Sequence, residues 1–165
     1  MTASTSAAVA QAAPGVYACA LVRTLNESRM TSPCVCFVVP TYNEAANITP
    51  LLEQLLTVAE QAFAWRFHVL VVDDRSPDGT GERVVAFGDE RVELLTGLKR
   101  GLGDAYLRGF EYALDVVEAD FIVQMDADFS HDPDDVCRLL EGLDEDTDVV
   151  IGSRYVPGGR VDEGW

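Results

Sequence analysis

The chain has 165 residues, 48% of them hydrophobic, and a formal net charge of −16 from 28 acidic against 12 basic residues. That length suits one α/β domain with a real core, and the apolar content excludes global disorder. The acidic balance excludes a nucleic-acid binder, which needs a basic footprint, and argues against general attraction to anionic lipid.

Residues 1–33 are rich in Ala, Ser and Thr, carry no strong apolar period and read as a flexible tail, of which residues 1–29 are expected to be dispensable. The mildly apolar stretch 7–22 has no Lys or Arg before it, so it makes a poor secretory signal. No apolar run approaches the ~20 residues of a membrane span. Cys19, Cys34, Cys36 and Cys137 lack paired C-x-x-C units, which disfavours structural zinc. Cys34 and Cys36 share a strand face and read as packed thiols in a reducing, cytosolic setting.

The pattern changes at Cys34. Residues 35–39 read as a buried strand ended by Pro40. Asn47 caps a helix with Pro50 in its first turn, and Ile48, Leu51, Leu52, Leu55, Leu56, Ala59 and Phe63 follow helical spacing. Residues 67–72 form a second strand, Ser76-Pro77-Asp78-Gly79 a turn, and residues 82–87 a short helix. Residues 92–95 are a third strand. Tyr106, Phe110, Ala113, Leu114 and Val117 mark a further helix. Residues 121–125 make a fourth strand. Asp132 caps the next helix with Pro133 at its first position, and Val136, Leu139, Leu140 and Leu143 form its apolar face. Residues 148–151 are a fifth strand. Strands alternating with helices predict an α/β fold, a mostly parallel sheet flanked by helices.

Ligands of such sheets bind beyond the carboxyl ends of the strands. Asp126 and Asp128 stand there, at i and i+2. One acid after a strand is ordinarily a cap, but two before a separate capping Asp132 are harder to explain that way. Carboxylates ~4 Å apart repel by about 4 kcal/mol at an effective dielectric near 20. A divalent Mg²⁺ or Mn²⁺ removes that cost and bridges protein acids to substrate phosphates. Asp73-Asp74 after the second strand either opens the turn or places one acid on a nucleotide base or ribose. No glycine fingerprint follows the first strand and no P-loop is present, which disfavours a nicotinamide enzyme and a P-loop NTPase. His68 reads as structural. His131 reads as a cap-region residue, with contact to metal or substrate as the alternative. No Ser/His/Asp arrangement stands out.

Val39-Pro40-Thr41-Tyr42-Asn43-Glu44, Asp73-Asp74-Arg75-Ser76-Pro77-Asp78-Gly79-Thr80, Gly101-Leu102-Gly103, Asp126-Ala127-Asp128-Phe129-Ser130-His131 and Gly152-Ser153-Arg154-Tyr155 follow one another along the chain. Together they resemble glycosyltransferase family 2, and within it the polyprenol-phosphate (dolichol-phosphate) mannosyltransferases, over residues 34–165. The resemblance implies a GT-A-type, Rossmann-like fold. It implies GDP-mannose as donor and a polyprenyl phosphate as acceptor. Pro40, Tyr42, Glu44, Asp73 and Asp74 would line the donor site with Asp126 and Ala127. Asp126, Asp128 and Ser130 would hold the metal, and Asp128 and Arg154 would be catalytic, Arg154 also engaging the transferring or acceptor phosphate. The expected location is the cytoplasm, peripheral at the cytoplasmic face of a membrane, with a membrane surface or membrane-anchored protein as partner.

Such chemistry needs no strong base. A lipid monophosphate has a second pKa of ~6 and is mostly dianionic at pH 7, so it attacks without deprotonation. In-line attack inverts the anomeric centre. Two rivals stand beside this reading. A phosphatase with an aspartyl nucleophile fits D-x-D superficially, but that chemistry places its acids after the first strand. A non-catalytic or truncated nucleotide-sugar-binding module is the other. Members of the resembled family continue past Trp165, so residues 34–165 are expected to be a domain truncated at its C-terminus that binds donor and transfers poorly.

Overall fold

Eight consecutive buried residues, Cys34–Thr41, form strand β3 at the centre of a sheet. A strand covered on both faces reads as an unbroken apolar run, which is why no polar alternation interrupts it. The structure is a computed structural model that describes residues 7–11, 20–23, 32–61, 64–144, 146–153 and 155. Phe63, Cys19 and Arg154 lie outside the described residues.

The other strands are β1 (Ala7–Gln11), β2 (Ala20–Arg23), β4 (Arg66–Asp73), β5 (Val92–Thr96), β6 (Phe121–Gln124) and β7 (Val149–Ser153). The helices are α1 (Ile48–Gln61), α2 (Thr80–Phe87), α3 (Leu102–Asp115) and α4 (Val136–Glu141), the last preceded by a 3-10 turn at Pro133–Asp135. The sheet runs β1-β7-β2-β6-β3-β4-β5. β3 pairs in parallel with β4 and β6, β4 with β5, and β1 with β7, so the sheet is mostly parallel.

Period-2 alternation sends β3 side chains to two cores. Val35, Phe37 and Val39 join Ile48, Leu51, Leu52 and Leu55 of α1, Val84 of α2, and Val136, Leu139 and Leu140 of α4. Cys36 and Val38 join Ala105, Tyr106 and Ala113 of α3 on the opposite face. α3 packs close because residue 109 is glycine: a Cβ there would lie 2.3 Å from Val38 Cγ1. The expected helix-start chemistry at Asp132 is present, its side chain accepting from the Asp134 N–H at 3.0 Å with Pro133 following.

Two features depart from the sequence reading. Pro40 does not end β3, which runs on to Thr41 with Pro40 opposite Val72. Val38 O accepts from the Met125 N–H on the β6 side, and Thr41 O accepts from the Asp74 N–H on the β4 side. Alternate residues face alternate neighbours, so Pro40 faces the side of β6. That ladder has already ended at Val38–Gln124, so the missing N–H costs no ladder bond.

The second departure concerns the segment read as a tail. Within residues 1–33, Ala7–Gln11 and Ala20–Arg23 are strands. β2 pairs antiparallel with β6 on one side and β7 on the other. Strand edges carry unpaired backbone donors and acceptors, and these short segments satisfy them. Segments of four or five residues are too short to show a period.

Candidate functional site

Three strand ends meet on one side of the sheet, and a left-handed residue turns the chain just beyond each. Asn43 (φ 63°) follows β3, Arg75 (φ 56°) follows β4 and Phe129 (φ 61°) follows β6. Non-glycine residues in this region are uncommon and cluster where a surrounding structure over-determines them.

The loops after β3 and β4 are sewn together by side chains of the Asp73–Thr80 segment. Asp73 is buried; its Oδ1 accepts from Thr41 Oγ1 at 3.0 Å and Ser76 Oγ at 2.5 Å, and its Oδ2 from the Ser76 N–H at 2.9 Å. Ser76 Oγ in turn accepts from the Asn43 N–H at 2.9 Å, and Thr80 Oγ1 from the Glu44 N–H at 3.0 Å. Asp78 accepts from the Ala45 N–H at 2.9 Å and from Thr80 Oγ1 at 2.6 Å. The Thr80 hydroxyl is the main reason its carboxyl lies below the usual range.

This frame holds open a cavity of about 240 Å³ lined by Pro40, Tyr42, Glu44, Asp74, Asp126, Ala127 and Asp128, with Thr41, Lys99, Gly101, Leu102 and Ala105 completing the wall. Seven residues singled out in the sequence therefore meet in one place. Asp73 is not among the lining residues; its carboxylate faces the loops, accepting from Thr41 and Ser76. Ser130 is not among them either; its N–H donates to Asp128 Oδ1 at 2.9 Å.

The acid pair is individually supported. Tyr106 of α3 donates its hydroxyl to Asp126 Oδ1 at 2.7 Å, and His131 Nδ1 accepts the Asp126 N–H at 2.9 Å. Partial burial pushes the Asp128 carboxyl up, but hydrogen bonds from the Ser130 hydroxyl and N–H outweigh it, so the net shift is downward. Asp74, 7% exposed, is paired with Arg108. Four carboxylates thus border the cavity, and Lys99 is the only cation among its described lining residues, its Nζ 3.2 Å from the centre of the Tyr42 ring. Sequence reasoning missed Lys99, Tyr106 and Arg108. Each lies on or just before α3, and nothing in local spacing marks a helix residue as reaching a strand end.

Among the described residues no group of three or more His, Cys, Asp or Glu side chains could hold a metal ion. Asp126 and Asp128 supply hard oxygen ligands in the number that Mg²⁺ or Mn²⁺ takes from a protein when substrate phosphates and water fill the remaining positions.

The glycosyl transferase family 2 model matches residues 36–165. The chain belongs to glycosyl transferase family 2. It is 42% identical over 128 residues to the polyprenol monophosphomannose synthase of Mycolicibacterium smegmatis, covering 75% of this chain and 46% of that protein. It is 43% identical over 127 residues to the undecaprenyl-phosphate mannosyltransferase of Micrococcus luteus, covering 75% of this chain and 49% of that protein. The chain therefore spans less than half the length of these relatives. Its fold matches the mannosyltransferase PcManGT of Pyrobaculum calidifontis, solved with GDP-Man and Mn²⁺, with a TM-score of 0.52 and 23% identity over 73% of this chain and 37% of that one. The fold of this family 2 chain is thus the GT-A type expected from its motifs, a mostly parallel sheet with helices on both faces.

Proposed function

We propose that this chain is the donor-binding part of a glycosyltransferase that passes mannose from GDP-mannose to a polyprenyl phosphate, with inversion and with Mg²⁺ or Mn²⁺. The observation that carries this reading is the convergence of Asp126 and Asp128 with Tyr42, Glu44 and Asp74 around one cavity at the strand ends. The similarity to polyprenol- and undecaprenyl-phosphate mannosyltransferases supports the choice of sugar and acceptor class.

Tyr42 and Glu44 would bind the nucleoside, together with Asp74. Asp126 and Asp128 would hold the cation, which supplies charge neutralisation to the departing nucleoside diphosphate. Tyr106 fixes the direction of Asp126, so its free oxygen is pre-aimed. Lys99 would leave the Tyr42 ring for the diphosphate. Arg154, next in the chain after β7, would offset the charge of an acceptor phosphate in a site otherwise bordered by acids. A phosphate acceptor accounts for chemistry without a strong base, since it arrives already ionised. No helix among the described residues is long and apolar enough to cross a membrane. A polyprenyl acceptor would be reached peripherally, at the cytoplasmic face of a membrane.

The test is isothermal titration of GDP-mannose, UDP-glucose and GDP, each with Mn²⁺ and with EDTA. Tightest binding of GDP-mannose with Mn²⁺ supports the reading. Equal affinity in EDTA, or a preference for UDP-glucose, overturns the metal or the donor assignment.

A further inference from the structure

We infer that Arg108 is a positioning residue for the donor nucleoside, held in a slot that exists only because residue 97 is glycine. The inference rests on the cavity being the nucleotide-sugar site. Arg108 lies on α3, outside the cavity wall and outside the segments that carry the family resemblance.

Its guanidinium is fixed from two sides. Nη2 bonds Asp74 Oδ1, and Nε bonds Asp104 Oδ2 at 3.0 Å one helical turn earlier. Nη1 is buried without a hydrogen-bond partner. A guanidinium placed for its own hydrogen-bonding optimum would not leave a buried donor unpaired, so reaching Asp74 decides its position. Gly97 makes that reach possible: a Cβ there would lie 1.7 Å from Nη1 and 2.2 Å from Cζ. The backbone at Gly97 cannot readily withdraw, because its N–H donates to Asp73 O at 3.0 Å on the end of β4. Nor is glycine needed there for a left-handed turn; among the described residues the positive-φ glycines are Gly79, Gly88 and Gly101. The missing side chain at residue 97 is the space the guanidinium fills.

The consequence falls on Asp74. One carboxylate oxygen is taken from the α3 side, which restrains the side chain and leaves Oδ2 to a ligand in the cavity. The bond is charge-assisted, and the planar guanidinium that makes it is itself held at Nε by Asp104, an arrangement a single ammonium lacks. It also offsets one of four negative charges around a cavity meant for a diphosphate. The donor then meets an acceptor already oriented, and avoids the ordering cost of a freely rotating side chain.

The experiment compares the parent chain with Arg108→Met, Gly97→Ala and the double variant. GDP affinity is measured with Mn²⁺ and with EDTA, beside melting temperature. Arg108→Met and Gly97→Ala should each weaken GDP about tenfold, by the same factor in both media, and the double variant should bind no worse than either alone. Should Gly97→Ala fail to fold, Arg108→Met and Arg108→Lys carry the test, with lysine restoring only part of the loss. Undiminished GDP binding by Arg108→Met overturns the inference, as does a loss confined to the Mn²⁺ arm. If the parent chain binds no nucleotide, the proposed function falls and this inference with it; if the parent binds and the variants match it, this inference alone falls.

Discussion

Tyr106 Oη donates to Asp126 Oδ1 at 2.7 Å, tying a helix residue to a strand-end acid twenty positions along the chain. Tyr106 is 7% exposed and its ring packs 5.7 Å from that of Phe110, so the hydroxyl is held by the core and not by the acid. Tyr106→Phe keeps that packing and deletes the bond. Loss of a hydrogen bond to a charged group costs about 1.5–3 kcal/mol, so Mn²⁺-dependent GDP-mannose binding should weaken at least tenfold. Asp128→Asn should cost roughly 2–4 kcal/mol in the same assay, as for a lost charged partner. Neither change should alter the weaker binding in EDTA. Titrations in which both media lose equally would show that the two residues do not serve a cation.

Lys99 lies over the Tyr42 ring and lines the cavity with four acids. Lys99→Met removes the amine and keeps an apolar stem over the ring. GDP and GDP-mannose should each bind several-fold more weakly, while guanosine should be unaffected. The parent's diphosphate affinity should fall with added salt more steeply than the variant's, since an exposed charge is screened within about 10 Å at 0.1 M. An equal salt slope in parent and variant would remove Lys99 from the diphosphate.

β2 joins β6 to β7, so the N-terminal segment bears on the sheet that carries the site. A chain starting at Met30 should melt well below the full chain, because deleting β2 leaves both neighbours with unpaired backbone edges. Hydrogen exchange at residues 121–124 and 149–153 should speed up in the shortened chain. A melting temperature within a few degrees of the parent, with unchanged exchange, would return the segment to a dispensable tail.

Asp89 is hydrogen-bonded by the Arg91 side chain, which holds its carboxyl at about 2 against an ordinary 3.8. The folded value is the depressed one. This stabilisation is therefore fully present above about 3.8 and is lost as pH falls toward about 2. Both partners are partly exposed, so the effect is on the order of 1 kcal/mol at most. Asp89→Asn should lower the melting temperature by a few degrees at pH 7, with the gap closing as pH falls below about 4. A gap that stays constant down to pH 3 would assign the loss to geometry and not to charge.

The five strands from Cys34 onward and their helices were legible in the sequence because each carries its own period. Val35 to Val39 is an unbroken apolar run, and Leu51, Leu52, Leu55 and Leu56 sit at helical spacing. The strand-end acids were legible for a related reason: parallel strands put all their carboxyl ends on one side, so any acid following a strand approaches the same crevice. That logic reaches Asp126 and Asp128 without coordinates. It also reaches Asp73-Asp74 as a pair, and there it stops.

What separates Asp73 from Asp74 is the direction of successive side chains, which alternates along a strand. Asp73 turns to the loops and spends its oxygens on Thr41 and Ser76; Asp74 turns to the cavity and to Arg108. The sequence determined that acids would gather where three strands end. Only the tertiary structure decided which of them face a ligand, because that depends on how α3 brings Tyr106 and Arg108 against the sheet, and a helix approaches as closely as its smallest residue allows. Gly109 sets that distance against Val38, and Gly97 opens the space that Arg108 fills.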